Sequence, residues 1–590
     1  PHWADGMPAT LNPIRGTQRS KPLTPLAIAS LVVSLGCAAI ALLNSAPPAS
    51  ADVEVSQEKK SPETVPTPPA TSRDKLAEPR YIGAGSCVAR ACHGSPTLTP
   101  GREWNSAYAV WIASDPHAQA YAVLFTPESC RMAAALDVGD PSKAERCLAC
   151  HSAPLAGARA SAAVGDASSI MADGVSCEVC HGPAEKYLAA HTMRGWNQLG
   201  AARYEPKFGM KNTADIAARA QVCVGCHVGQ PDSEGKPWRD VNHDLIAAGH
   251  PRLNFDYAAY IATLPPHWNT QKDPQKFEEL HSWLIGQFAA SEQALKVLQA
   301  RASAAQSQSD KQATNHPIVT PAWPEFAEYD CFACHHGLSG ASWRQNVSQT
   351  AANPRDDRPP RKPGTPAWGT WYFTGPRLLA GTSALVSDSQ ASDFRKRLNE
   401  LTKSMQSPLP EAARVAEEAS ETASQLANCR PSALAHINQL LNSADALTLR
   451  REIIQSLATQ FQQHKPESWD EFVQYYLSLV ALYKSEVDVK SQDALTNGVQ
   501  SNKQQLLNLL EAVRNRLSFS GDLQVNTAEV SSGGSGKLSP ILRVLRSGFD
   551  RPFEFDPYAK PPTTAGHLEG KNLFELFDEA FTLLTGTKSA

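Results

Sequence analysis

The chain has 590 residues, enough for three or four domain-sized units. Its 55 Lys and Arg against 59 Asp and Glu leave a net charge of −4, which lacks the basic footprint of a nucleic-acid binder. Thirteen cysteines are too few for a disulfide scaffold, so their placement carries more information than their number.

At the N-terminus, Arg15, Arg19 and Lys21 precede an uncharged apolar run from Leu26 to Leu43, followed by the small-residue sequence Ala49-Ser50-Ala51. This reads as an export signal over residues 1–51. At 18 residues the run also suits a retained membrane anchor, with the positive flank inside and the remainder outside. Cys37, within the run, reads as membrane filler. Residues 52–80 are polar and Pro-rich, without hydrophobic periodicity, as expected of a flexible linker.

The stretch 81–350 holds five cysteine pairs, each followed at once by histidine. Four have the form Cys-x-x-Cys-His: Cys147, Cys150 and His151; Cys177, Cys180 and His181; Cys223, Cys226 and His227; Cys331, Cys334 and His335. The first in the chain, Cys87-Val-Ala-Arg-Ala-Cys92-His93, has four intervening residues. Chance would produce roughly 0.008 Cys-x-x-Cys-His matches in a chain of this composition. Zinc would need four ligands, in two Cys pairs or a Cys and a His pair, and does not call for a histidine beside each second cysteine. Paired thiols that form thioethers to the haem vinyl groups, with the adjacent imidazole on the iron, explain the spacing. The expectation is five covalently bound haem c groups.

Twelve further histidines could supply the second axial ligands. His117, His191, His243 and His250 lie among the motifs. His336 follows His335 and could reach only a neighbouring iron. These five are the expected distal ligands, with His267, His281 and His316 as competitors. Trp104, Trp111, Tyr187, Phe255, Tyr257, Trp268 and Phe332 are expected to pack on haem faces. Cys130 reads as a buried thiol and Cys429 as an inert one, with a disulfide between them as an alternative. A helix is predicted from Pro274 to about Ala305, capped by Asp273, with Phe277, Leu280, Leu284, Phe288, Leu295 and Leu298 as its buried stripe.

Residues 351–374 read as a Pro-rich linker, and 375–525 as a haem-free helical bundle. Its helices are marked by Phe394, Leu398 and Leu401, by Trp469, Phe472, Tyr476 and Leu479, and by Leu506, Leu510, Val513 and Leu517. Pro410, Pro431 and Pro466 are each placed at a helix start. Residues 526–590 are a Gly/Ser linker, Ser531–Lys537, and a tail ending in a short helix, Leu573 to Leu584.

Gly174-Val-Ser-Cys177-Glu-Val-Cys180-His181-Gly-Pro, with His191 ten residues on, resembles the cytochrome c-554 family of multihaem proteins. So does Trp111-Ile-Ala-Ser-Asp-Pro-His117-Ala. The segment His243-Asp-Leu-Ile-Ala-Ala-Gly-His250-Pro-Arg-Leu-Asn-Phe is similar to a related multihaem cytochrome. The resemblance covers about residues 81–345. It implies helices and loops wrapped around stacked haem pairs, mostly bis-His ligation with His117 and His191 distal, and in the type member one five-coordinate haem. The type member has four haems and no long C-terminal extension, so its redox partner does not transfer.

The expected fold is therefore mainly α: a pentahaem domain followed by a haem-free helical bundle. The expected function is electron transfer in the periplasm or at the cell exterior, with redox proteins or a respiratory complex as partners and a homo-oligomer as an open alternative. One rival is a nitrite- or hydroxylamine-type reductase with one open iron, served by His281, Arg252 and Tyr257. The other is a haem-bearing docking subunit of a respiratory complex.

Overall fold

Cysteines three apart lie on one face of a helical turn, and a histidine one residue further stays beside them. Four motifs are accordingly helical in the computed structural model. They sit at the ends of α3 (Glu145–His151), α5 (Cys177–His181) and α6 (Ile216–His227), and in α10 (Cys331–Cys334). Cysteines five apart, as Cys87 and Cys92 are, cannot share a face in this way. The first motif instead runs from a 3₁₀ turn, Ala84–Cys87, into a turn in which the Cys92 and Gly94 amides both donate to the Ala89 carbonyl. A Cβ on Gly94 would lie 1.7 Å from the Val88 carbonyl oxygen, so this turn closes only around glycine.

The structure describes residues 78–155, 157–232, 238–268, 278–309, 323–336, 358–362, 364–383, 385–441, 446–487, 497–517, 557, 568 and 570–585. The apolar run 26–43, the cleavage sequence, residues 52–77 of the N-terminal linker, the Asp273–Pro274 cap, Phe277, His316 and the Ser531–Lys537 linker lie outside them. Among the described residues no helix is long and apolar enough to cross a membrane.

The fold is mainly helical, and the described residues form only isolated bridges rather than strands. The motif-bearing part also contains α1 (Ala107–Ser114), α2 (Pro127–Ala135), α4 (Ala167–Ala172), α7 (His243–Ala247) and α8 (Tyr257–Ile261), separated by loops and 3₁₀ turns. Asp215, Asn242 and Asp256 cap α6, α7 and α8 by accepting from first-turn amides.

Helix α9 (Glu278–Ser309) is the central element. Leu280, Leu284, Phe288, Leu295 and Leu298 are buried as expected, but so are Trp283, Ile285, Gln287, Ala289 and Ser291. A single stripe fails to describe it because α9 is packed on two sides, by α6 and α8 and by the C-terminal helices.

Those helices are α11 (Thr374–Leu379), α12 (Asp388–Met405), α13 (Ala412–Leu441), α14 (Ala446–Gln463), α15 (Trp469–Val487), α16 (Asn497–Leu517) and α17 (Leu573–Thr585). Phe394, Leu398, Leu401, Phe472, Leu479, Leu506, Leu510 and Val513 enter one large core with α9. Pro431 does not start a helix: α13 runs through it. An interior proline costs about 3 kcal/mol. The burial of Leu426, Cys429 and Ile437 along α13 offsets it. Trp368, Trp371 and Phe373, from the stretch read as linker, are also buried, and Tyr329 bridges to Trp368. Cys130 is exposed, a correction to the buried reading. It lies on α2, whose only buried residue is Ala133. Cys429 is buried, with its thiol donating to the Gln390 carbonyl.

Candidate functional site

Each motif histidine faces a second histidine from a distant part of the chain. Ring centroids are 6.3 Å apart for His93 and His191, 6.0 Å for His117 and His227, and 6.3 Å for His151 and His250. They are 6.3 Å apart for His181 and His267, and for His243 and His335. A metal–imidazole bond of about 2 Å on each side, plus about 1 Å from each nitrogen to its ring centre, spans about 6 Å. Each gap therefore has room for one axially ligated iron.

The nitrogens are set for that role. Nδ1 of His93, His151, His191, His250 and His267 lies on the carbonyl oxygen of Trp104, Ala120, Tyr187, Pro251 and Pro265, respectively. A carbonyl only accepts, so Nδ1 carries the proton and Nε2 keeps its lone pair. His117 Nδ1 donates likewise to Asp115 Oδ1 at 2.9 Å. Burial pushes His181 down to about 4 and His227 down to about 3, and it lowers His151, His250 and His267. These rings are thus neutral, the form that binds metal. At His117 burial also acts downward, but the Asp115 carboxylate outweighs it and the imidazole is raised.

The local chain explains these placements. Asp115 caps the turn that presents His117, whose carbonyl receives the Val175 amide just ahead of the third motif. His243 opens α7, and His250 follows it with its amide on the Leu245 carbonyl. His267 follows two prolines and packs against Trp268, ring centroids 5.3 Å apart.

Of the expected distal set, His117, His191, His243 and His250 each face a motif histidine. The place expected for His336 is taken by His267, opposite His181. His336 is tied to its own motif by the chain, one residue after His335. No spacing in the sequence singled out His267 among its competitors; the rigid Pro-Pro-His-Trp run is the one local signal.

The motif thiols are free and mostly half-buried. Cys87 and Cys177 perturb each other's thiols, as do Cys150 and Cys226, so the first motif lies beside the third and the second beside the fourth. Helix α5 touches α6, which joins the third motif to the fourth. Arg146, beside Cys147, donates to Asn242, beside His243, which links the second motif to the fifth. Among the described residues no three of His, Cys, Asp and Glu converge as a zinc site would require.

Apolar surface surrounds the pairs. Phe255 stacks on His227 at 5.1 Å, and Trp104 meets His93 edge-on at 5.7 Å. Tyr187 lies against His191 and Phe326 against His243. Trp111, Tyr257 and Phe332 are buried instead in protein contacts, with Trp111 Nε1 on the Val175 carbonyl, Tyr257 at Arg219 and Phe332 at Trp469. Every exposed large apolar side chain among the described residues, except Leu409, falls between Val88 and Phe326. Such a surface is costly in water unless something covers it, and flat apolar macrocycles between the histidine pairs would do so.

The residues proposed to serve an open iron are engaged elsewhere. Arg252 is held by Asp470, the Tyr257 hydroxyl accepts from Arg219 Nε at 2.7 Å, and His281 is buried in α9.

Residues 88–182 match the family model described as cytochrome c554 and c-prime. No curated protein and no solved structure matches the chain.

Proposed function

We infer, from the c-type cytochrome domain that residues 88–182 identify and its covalent haem chemistry, that this chain conducts electrons through five haem c groups, each with two histidine ligands. The observation that carries the reading is the set of five histidine pairs at 6.0–6.3 Å, one for every motif.

In this reading Cys87 and Cys92, Cys147 and Cys150, Cys177 and Cys180, Cys223 and Cys226, and Cys331 and Cys334 anchor the five macrocycles. The axial pairs are His93 with His191, His151 with His250, His181 with His267, His227 with His117, and His335 with His243. Bound haem supplies the reversible one-electron chemistry. The protein's own contribution is to hold each Nε2 lone pair inward through the Nδ1 hydrogen bonds and to keep water from buried rings such as His227. The motif adjacencies support a path in the order first, third, fourth, second, fifth motif, which differs from chain order.

Two histidines for each iron would leave no open position for nitrite or hydroxylamine, so this reading favours electron transfer over their reduction. The export-signal reading of residues 1–51 and the extracytoplasmic chemistry of c-type haem attachment support a working compartment outside the cytoplasm, in the periplasm or at the cell exterior, with redox proteins as partners. Protein matured in a host competent for c-type attachment should carry five haems by intact mass. It should also give only low-spin electron paramagnetic resonance signals that ignore added nitrite or cyanide. A mass increment other than five haems, or a ligand-responsive high-spin signal, rejects the reading.

A further inference from the structure

Of the imidazoles in the five pairs, one rests on a carboxylate. His117 Nδ1 lies 2.9 Å from Asp115 Oδ1, and among the described residues no other histidine of the pairs meets an acidic side chain. The other Nδ1 partners are neutral. Those of His93, His191, His151, His250 and His267 are backbone carbonyls, and that of His181 is the Thr213 hydroxyl at 3.2 Å.

The chain holds this contact in a closed frame. Asp115 caps the 3₁₀ turn Pro116–Gln119, and its Oδ1 also accepts from the His117 amide at 2.9 Å. The Asp115 amide donates to the Trp111 carbonyl, Trp111 Nε1 donates to the Val175 carbonyl, and the Val175 amide returns to the His117 carbonyl. The Asp115 side chain is 8% exposed and makes no ion pair with Lys or Arg among the described residues, so no contacting cation offsets it. Across the pair, His227 is flanked by Phe255 and Tyr260, ring centroids 5.1 and 5.0 Å away. In such apolar surroundings a hydrogen bond to a charged acceptor acts more strongly than it does in water.

A carboxylate that accepts the Nδ1 hydrogen makes the ring a stronger donor through Nε2. Stronger donation favours ferric iron, which carries one more positive charge, over ferrous iron, and so lowers the potential. We propose that Asp115, acting through His117, lowers the reduction potential of the haem held at Cys223 and Cys226. The step it tunes is a one-electron transfer from a neighbouring haem: ferric iron becomes ferrous, the donor iron becomes ferric, and the Nδ1 proton stays on His117. The carboxylate makes this haem harder to fill than a carbonyl in its place would. Asp115 is thus a positioning residue for electron transfer, and the inference rests on the five-haem reading.

The test is potentiometry of the full-length, haem-loaded protein followed by electron paramagnetic resonance, paired with intact mass. His117→Ala identifies the haem, since the low-spin signal it turns high-spin belongs to the iron between His117 and His227. Asp115→Asn keeps the cap and an acceptor oxygen and removes the charge. At a fixed applied potential, the reduced-to-oxidised ratio of that haem should rise about tenfold, the scale of outer partners at metal sites, or about 59 mV for one electron. The other four signals should stay where they are. If Asp115→Asn does not load haem, Asp115→Ser, which also caps and is also neutral, should give the same upward shift. An unmoved or downward potential, an equal shift of all five haems, or a high-spin signal in place of the low-spin one overturns the proposal. A parent mass short of five haems, or His117→Ala with every low-spin signal intact, would instead reject the underlying reading of five paired haems.

Discussion

His267 lies opposite His181 with ring centroids 6.3 Å apart, although 86 residues separate them and His267 belongs to no motif. His336, adjacent to a motif histidine in the chain, does not take this position.

The pairing predicts which substitution opens an iron. On the five-haem reading, His267→Ala should turn one low-spin signal high-spin and let that haem bind cyanide or imidazole. His336→Ala should leave all five unchanged. Electron paramagnetic resonance with ligand titration distinguishes the two; a high-spin signal only in the His336 variant would reverse the assignment.

Asp256 caps α8 from a buried position, accepting from the Ala259 amide at 2.9 Å and from Gln287 Nε2 at 3.3 Å. Burial pushes its carboxyl up to about 7. A folded-state value above the unfolded one means that stability is greatest below about pH 4 for this group and is lost as pH rises towards 7. Three pH units correspond to about 4 kcal/mol at most. Asp256→Asn keeps the capping oxygen and removes the charge. Denaturation midpoints of the variant should therefore gain on the parent from pH 4 to pH 8. Parallel pH profiles would contradict the raised carboxyl.

Glu178, inside the third motif, is fully buried. Its carboxylate accepts from the backbone amides of Ile82 and Gly83, which lead into the first motif, and from Ala184. Glu178→Ala leaves three donors without this acceptor, at about 1–3 kcal/mol each. A stability loss of several kcal/mol is expected, with faster hydrogen exchange at these three amides. Unchanged exchange there would mean that other acceptors replace the carboxylate.

Arg301 on α9 ties Asp240, from the loop before α7, to Glu328, ahead of the fifth motif. Burial raises the Glu328 carboxyl and Arg301 opposes that shift. Arg301→Met leaves two buried carboxylates without their cation, a change that costs about 3–5 kcal/mol. The loss should be larger at pH 8 than at pH 5, where the raised Glu328 carboxyl can take up a proton. Thermal unfolding at the two pH values checks this; an equal loss at both would indicate a packing defect rather than unpaired charge.

The sequence by itself determined the chemistry. Two thiols and an imidazole within one helical turn form a local pattern whose spacing survives any fold, and the same holds for the periodic apolar faces of α12, α15, α16 and α17. Proline was less readable, since α13 continues through Pro431 where packing outweighs local preference. The partner of each motif histidine was decided only by tertiary structure. So were the packing of α9 on two sides and the contact of Arg252 with Asp470. The reason is physical: which imidazole comes to face a motif histidine depends on how distant segments pack. His191 meets His93 across 98 residues, and Asp470 meets Arg252 across 218, where no local spacing constrains either.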